Sequence, residues 1–151
     1  MEHNPDFKDL FHLLEKEKVE YLIVGAYALI YYATPRYTKD IDIWVKPQPE
    51  NIKNLWTTLE EFGAPLIDIT PDDFLNPNII YQIGVEPNRI DILTSISGIE
   101  FDAAWANKTA STYAGERIYL LSLDDLIKSK EASNRPQDRI DLEILSEIKR
   151  K

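Results

Sequence analysis

Hydrophobic residues recur along the chain at two different periods, and the switches between them lay out a mixed order of helices and strands. Phe7, Leu10, Phe11 and Leu14 fall at helical spacing and predict an amphipathic helix over residues 5–17. Val19 to Val24 is a short β-branched and apolar run ending at Gly25, which predicts a buried strand. Ala26 to Ala33 returns to helix-compatible residues until Thr34-Pro35 stops it. Asp40-Ile41-Asp42-Ile43-Trp44-Val45 alternates polar and apolar and predicts a half-buried strand. Pro47-Gln48-Pro49 closes that strand and opens a helix with Ile52, Leu55, Trp56, Leu59 and Phe62 on one face, ended by Gly63-Ala64-Pro65.

In the second half, Thr70-Pro71-Asp72-Asp73 combines an N-cap, a proline at the first helical position and two dipole-favoured acids, so a short helix follows. Ile79 to Val85 and Arg89 to Leu93 predict two strands joined by a turn at Glu86-Pro87-Asn88. Residues 100–107 suit a short helix and Arg117 to Leu121 a further strand. Ser122-Leu123-Asp124-Asp125 resembles a capping box and starts a helix to about Ser133. Pro136 begins the last helix, with Ile140, Ile144, Leu145 and Ile148 expected on its inner face. No repeat or low-complexity run interrupts this order. It describes an α/β (α+β) fold, a mixed β-sheet with helices packed on it, in one domain over residues 1–151 with a short helical tail at about 122–150.

Composition narrows the chemistry. The 151 residues include 17 basic and 26 acidic side chains, a net charge of −9 that argues against broad nucleic-acid binding through a basic face. With no cysteine, disulfides, thiolate metal sites and a cysteine nucleophile are excluded, and His3 and His12 are too few for a histidine-built metal centre. Catalysis would fall to carboxylates, lysines, arginines and hydroxyls. The first residues lack a basic and then apolar leader, and the run from Tyr21 to Ala33 is too short to span a bilayer, so a cytoplasmic protein without a membrane segment is expected.

Asp40 and Asp42 lie two apart on a predicted strand, so both carboxylates leave one face while Ile41, Ile43 and Val45 take the other. Like charges roughly 5–7 Å apart beside a core repel unless a cation stands between them. Taken alone, the pair also reads as a solvated strand face. Asp91 interrupts a second apolar strand in the same manner, and the three carboxylates form an oxygen-only donor set of the kind Mg²⁺ prefers. Two such ions would clamp the attacking and leaving oxygens of a displacement at phosphorus, and the third acid could take the proton of an attacking hydroxyl. The alternative for Asp91 is an ion pair with Arg89 or Arg36. Gly25, at a strand-to-helix junction, permits close backbone approach of a phosphate to a helix N-terminus.

Together these residues resemble the signature of the minimal nucleotidyltransferases (MNT-like) of the DNA polymerase β-like superfamily. Val24-Gly25-Ala26 is followed by thirteen residues, Tyr27 to Lys39, and then Asp40-Ile41-Asp42-Ile43. Arg36-x-Thr38-x-Asp40 matches the approach to the acidic pair in small bacterial relatives, and Asp91 falls on a later strand, as the family's third carboxylate does. Lys130, Arg135, Asp138 and Asp141 repeat the tail spacing of antitoxin, abortive-infection and small antibiotic-modifying members.

The resemblance implies a Mg²⁺-dependent enzyme that moves a nucleoside monophosphate from an NTP, ATP favoured, to an acceptor hydroxyl and releases pyrophosphate. Asp40, Asp42 and Asp91 would be the catalytic and metal-holding residues. Gly25, Ala26, Arg36, Thr38, Lys130 and Arg135 would bind the nucleotide. Ala26 stands where the family has Gly or Ser, so a serine hydroxyl contact to the phosphates is missing. The acceptor would be a partner toxin protein, a small molecule or an RNA end, and a homodimer is compatible with the pattern. The alternative is a non-catalytic protein of the same fold, such as an antitoxin acting by contact.

The remaining candidates divide between packing and function. Lys130 shares a helical face with Leu123, Leu126 and Ile127, so its ammonium either snorkels outward or enters the cleft. Asp138 and Asp141 read as braces for the last two helices. Tyr27 and Tyr31 suit the core or an interface, Trp44 suits packing or a flank of the nucleotide, and Lys128 is a solvated helix charge.

Overall fold

The computed structural model describes residues 4–33, 40–84 and 88–150. Its elements run α1 (Pro5–Lys16), β1 (Tyr21–Val24), α2 (Gly25–Tyr32), β2 (Ile41–Val45), α3 (Pro49–Phe62), a 3-10 turn (Pro71–Leu75), β3 (Ile80–Ile83), β4 (Ile90–Leu93), α4 (Phe101–Ala106), β5 (Thr109–Tyr113), β6 (Glu116–Leu120), α5 (Leu123–Ser133) and α6 (Pro136–Arg150). The predicted turn at Glu86-Pro87-Asn88 lies largely outside the described residues, as do Arg36, Thr38 and Lys39.

Capping chemistry sets the helix starts. Asn4 Oδ1 accepts from the N–H groups of Asp6 and Phe7 at 2.8 and 3.3 Å, and Pro5 fills the first position of α1. Gln48 caps α3 in the same way, ahead of Pro49. At α5, Ser122 Oγ accepts from the Asp125 N–H, but Asp125 does not return the bond, and its buried Oδ2 has no partner. The expected capping box is therefore half formed.

The six strands make one mixed sheet in the order β3-β4-β2-β1-β6-β5. β4 with β2 and β1 with β6 run parallel, and the other neighbours run antiparallel. Alternation within the strands feeds two cores. Ile23, Ile41, Ile43, Ile90 and Ile92 face α1 and α3 and meet Phe7, Phe11, Ile52, Leu55 and Phe74. Leu22, Val24 and Trp44 point the other way, toward Ala28 and Leu29 of α2, Phe101 of α4, Leu126 of α5 and Leu145 of α6. The sheet is thus covered by helices on both faces, the mixed α/β (α+β) arrangement that the sequence predicts.

Three expectations are corrected. β5 was not foreseen: its Thr-Ala-Ser-Thr-Tyr sequence alternates weakly, and its hairpin turn is Ala114-Gly115, both at positive φ, where Asn-Gly would have announced it. The strand at Ile41–Val45 is more than half buried, because α4 covers Trp44, whose ring packs edge-on to Phe101 at 5.0 Å. On α6, Leu145 faces inward as expected, but Ile140 is 56% exposed and Ile144 37%. The inner stripe is instead Asp138, Asp141 and Leu145, because Lys130 of α5 presents a nearly buried ammonium that demands acidic partners.

Candidate functional site

Sheet register builds the site. Val24 of β1 stands beside Asp42 of β2, Asp42 beside Asp91 of β4, and Asp91 beside Gln82 of β3. These residues therefore form one row across four neighbouring strands, on the face opposite the isoleucine core. Two residues along the strands runs an apolar row, Leu22, Trp44, Leu93 and Ile80. Asp40 sits just ahead of β2 on the side of the row where Arg89 enters β4.

Gly25 follows Val24 directly and opens α2 at φ +67°, a left-handed conformation that favours glycine. A Cβ built on it would lie 2.1 Å from Asp42 Oδ2. The bare glycine therefore lets the helix start and the carboxylate occupy adjoining space. No side chain caps α2 and no acid lies in its first turn, so its positive end lies beside the Asp42 carboxylate without a cap of its own. Ala26 is exposed on that same first turn.

The carboxylates crowd one another. Asp42 is pushed up to about 6, first by burial, then by the charge of Asp91, the hydrogen bond shared with it, and the charge of Asp40. Arg89 opposes this rise. Its Nε donates to Asp91 Oδ1 at 2.9 Å and Nη2 to Asp91 Oδ2 at 3.2 Å, while Nη2 lies 3.4 Å from Asp40 Oδ2. The backbone N–H of Arg89 also reaches Asp40 Oδ1 at 3.3 Å. The ion pair considered for Asp91 is thus formed, with Arg89 as the partner. Among the described residues no three acidic or histidine side chains converge into a ready metal cage. The donor set nevertheless suits a hard divalent cation: oxygen only, acidic and on adjacent strands.

A cleft of about 710 Å³ opens over this row. Gly25, Asp42 and Asp91 lie on its sheet side, Gln82, Ser95 and Ser97 toward the β3 edge, and Lys130 and Arg135 on the helical wall. Lys130 Nζ is 3.0 Å from Asp141 Oδ2 and 3.5 Å from Asp138 Oδ1. Arg135 bonds Asp138 through Nε and its backbone N–H at 3.0 and 2.9 Å, yet its side chain is 71% exposed. Asp138 is held well below the usual carboxylate range, first by the Arg135 side chain and then by Ser133 and the Arg135 backbone.

Of the residues singled out from sequence, Gly25, Asp42, Asp91, Lys130 and Arg135 line one cleft, while Asp40 and Ala26 are not part of its lining, Asp40 being joined to Asp91 through Arg89. Trp44 lies beneath the floor as packing, with a buried Nε1 that has no partner. Tyr27 packs against Tyr113, and Lys128 is exposed. Gln82, Ser95 and Ser97 were missed. Strand alternation marks Gln82 as outward-facing, but only the pairing of β3 with β4 sets it beside Asp91.

This combination of a mixed sheet, a glycine-opened helix and strand-borne carboxylates is that of a nucleotidyltransferase. Residues 6–149 match the family model described as "Nucleotidyltransferase of unknown function (DUF6036)", and the chain belongs to that family. A comparison with curated protein sequences finds no match. Among solved structures, the fold is similar to the lincosamide antibiotic adenylyltransferase LnuA, crystallised with lincomycin bound, with a TM-score of 0.60 and 16% identity over 98% of this chain and 99% of that one. It is also similar to the antibiotic-resistance factor ANT(2'')-Ia, with a TM-score of 0.59 and 13% identity over 93% of this chain and 80% of that one. The Thermotoga maritima nucleotidyltransferase-type protein TM1012 gives a TM-score of 0.59 and 18% identity over 94% of this chain and 93% of that one.

Proposed function

We propose that the protein transfers a nucleoside monophosphate from ATP to an acceptor hydroxyl and releases pyrophosphate. In this reading Asp40, Asp42 and Asp91 would hold two Mg²⁺ ions. Bound Mg²⁺ would supply charge neutralisation at the triphosphate and at the leaving pyrophosphate. The N–H groups at the start of α2, from Gly25 and Ala26, receive phosphate oxygens. On the helical wall Arg135 and Lys130, both paired with Asp138, would supply the cations for the same phosphates, and the family likeness adds Arg36 and Thr38. Asp91 accepts the proton of the attacking hydroxyl as the new oxygen–phosphorus bond forms at the α-phosphate and the bond to the β-phosphate oxygen breaks. The rate enhancement comes from positioning and charge stabilisation.

The paired Asp42 and Asp91, with Gly25 bare of a side chain beside Asp42 at the start of α2, carry this reading. The preference for ATP rests on the likeness to LnuA, itself an adenylyltransferase. The acceptor is proposed to be a small hydroxylated molecule or a hydroxyl of a partner protein, since a net charge of −9 disfavours an RNA end. Thermal unfolding with Mg²⁺ and each nucleoside triphosphate, with Asp42→Asn as control, tests the site. Ligand at about 100 times Kd stabilises by roughly 2.7 kcal/mol, a rise of about 5–11 °C for a domain of this size. The rise is expected with Mg²⁺ and ATP in the wild type and not in the variant. No rise with any nucleotide at millimolar concentration would overturn the reading.

A further inference from the structure

Arg89 stands where the chemistry of the site calls for a cation. It directly precedes β4, two positions before Asp91 on the same alternation, so its side chain lies along the carboxylate face. Its guanidinium takes both oxygens of Asp91, at 2.9 and 3.2 Å, and approaches Asp40 at 3.4 Å. These oxygens are the ones a divalent ion would need, at the roughly 2.0–2.1 Å that Mg²⁺ requires. A guanidinium and a divalent cation cannot share the same lone pairs at such separations, because each strongly repels the other.

We propose that Arg89 is the internal counter-ion of the carboxylate row, exchanged for the divalent metal when the site loads, so that metal binds weakly alone and strongly with triphosphate. The proposal rests on the nucleotidyl-transfer reading for the identity of the second ligand. Arginine keeps its charge under all working conditions, so once displaced it must find another anion or return to water. Without nucleotide, metal entry costs Arg89 its paired bonds to Asp91. With nucleotide, a triphosphate in the cleft lined by Asp42 and Asp91, beside which Arg89 is held by its bonds to Asp91, offers the bidentate acceptors that guanidinium prefers. The cost of displacement is then offset, and the two ligands bind with positive coupling. The same device offsets part of the repulsion among the metal-free carboxylates, since Arg89 pairs with Asp91 and Asp40 while Asp42 still feels both charges.

The test uses Mn²⁺ as probe, its free concentration read by electron paramagnetic resonance, with and without α,β-methylene-ATP. It is run on the full chain as wild type, Arg89→Gln and Arg89→Lys, with circular dichroism to establish folding. Arg89→Gln is expected to bind Mn²⁺ alone about tenfold more tightly than wild type, and to gain correspondingly less from the nucleotide analogue. Arg89→Lys, which keeps the charge but not the two-point grip, falls between them and carries the test should the glutamine variant not fold. Equal or weaker Mn²⁺ binding by the folded variants would overturn the proposal, because Arg89 would then organise the ligands rather than compete for them. If the wild type takes up no Mn²⁺ even with the analogue, the nucleotidyl-transfer reading falls too, and the proposal with it.

Discussion

Asp42 and Asp91 stand as direct partners in the parallel pairing of β2 with β4 and share a hydrogen bond, with Asp42 held in its protonated form up to about 6. Two acids are thus fixed side by side by backbone geometry, and their mutual repulsion is built into the fold.

Replacing Asp42 with Asn removes that repulsion while an amide still donates to Asp91. The folded-state value of Asp42 is raised from 3.8 to about 6, so ionising it opposes folding. Its cost is absent below about pH 4, grows from there to about pH 6 and is fully present above. Asp42→Asn is therefore expected to be about 1–3 kcal/mol more stable than wild type at pH 7 without ligand. The difference should vanish near pH 4, as melting curves at the two pH values would show. A variant less stable than wild type at pH 7 would contradict this.

Gly25→Ala tests the bare glycine beside Asp42. The added methyl carbon would meet Asp42 Oδ2 at 2.1 Å, at a φ of +67° that alanine adopts only at a cost of about 1–2 kcal/mol. Lower thermal stability is expected, with loss of the response to Mg²⁺ and ATP. Ala26→Ser, one residue on and exposed, should keep the fold and strengthen the nucleotide response.

Lys130 connects α5 to α6 through acids that are themselves buried. Lys130→Met leaves Asp138 and Asp141 without their ammonium, so a loss of about 3–5 kcal/mol is expected in chemical denaturation. Arg135→Ala removes a far more exposed cation. It should cost less stability than Lys130→Met and weaken nucleotide binding more than folding.

Asp138 predicts acid behaviour of the opposite sign to Asp42. Its folded-state value lies well below the unfolded one, so its contribution is complete above about pH 4 and is lost as the pH falls below that. Asp138→Asn should be less stable than wild type at pH 7, and the gap should narrow on acidification. Parallel curves for the two proteins from about pH 5 down to about pH 2 would refute this.

Much of this was legible in the sequence because local pattern and tertiary role coincide. The isoleucines of Asp40-Ile41-Asp42-Ile43 and Arg89-Ile90-Asp91-Ile92 fix which face each aspartate takes, and alternation survives in any sheet. Pairing partners carry no such mark. That Asp42 meets Asp91, that Gln82 flanks it and that Arg89 reaches Asp40 depend on strand order, set by contacts distant in sequence. On α6, reading the isoleucines as inward failed for a related reason. Ile140 and Ile144 share a helical stripe, but the charge of Lys130 on the facing helix outweighs their apolar surface and turns Asp138 and Asp141 inward.

The register of β2 against β4 has one further consequence. Roughly half the strand positions in this pair belong to the isoleucine core and the others to the cleft, so a one-residue slip would bury the aspartates and expose the isoleucines together. No tight turn joins these two parallel strands, because the chain between them passes through α3, the 3-10 turn and β3. Their alignment is therefore set by side-chain sorting across the sheet rather than by the length of the connection. Within the span between Phe62 and Pro71, Ala64, Leu66 and Ile69 pack on the core and Pro65 accepts from Tyr81, so the exposed turn at Ile67-Asp68 is where a reporter segment can be inserted without shifting one aspartate against the other.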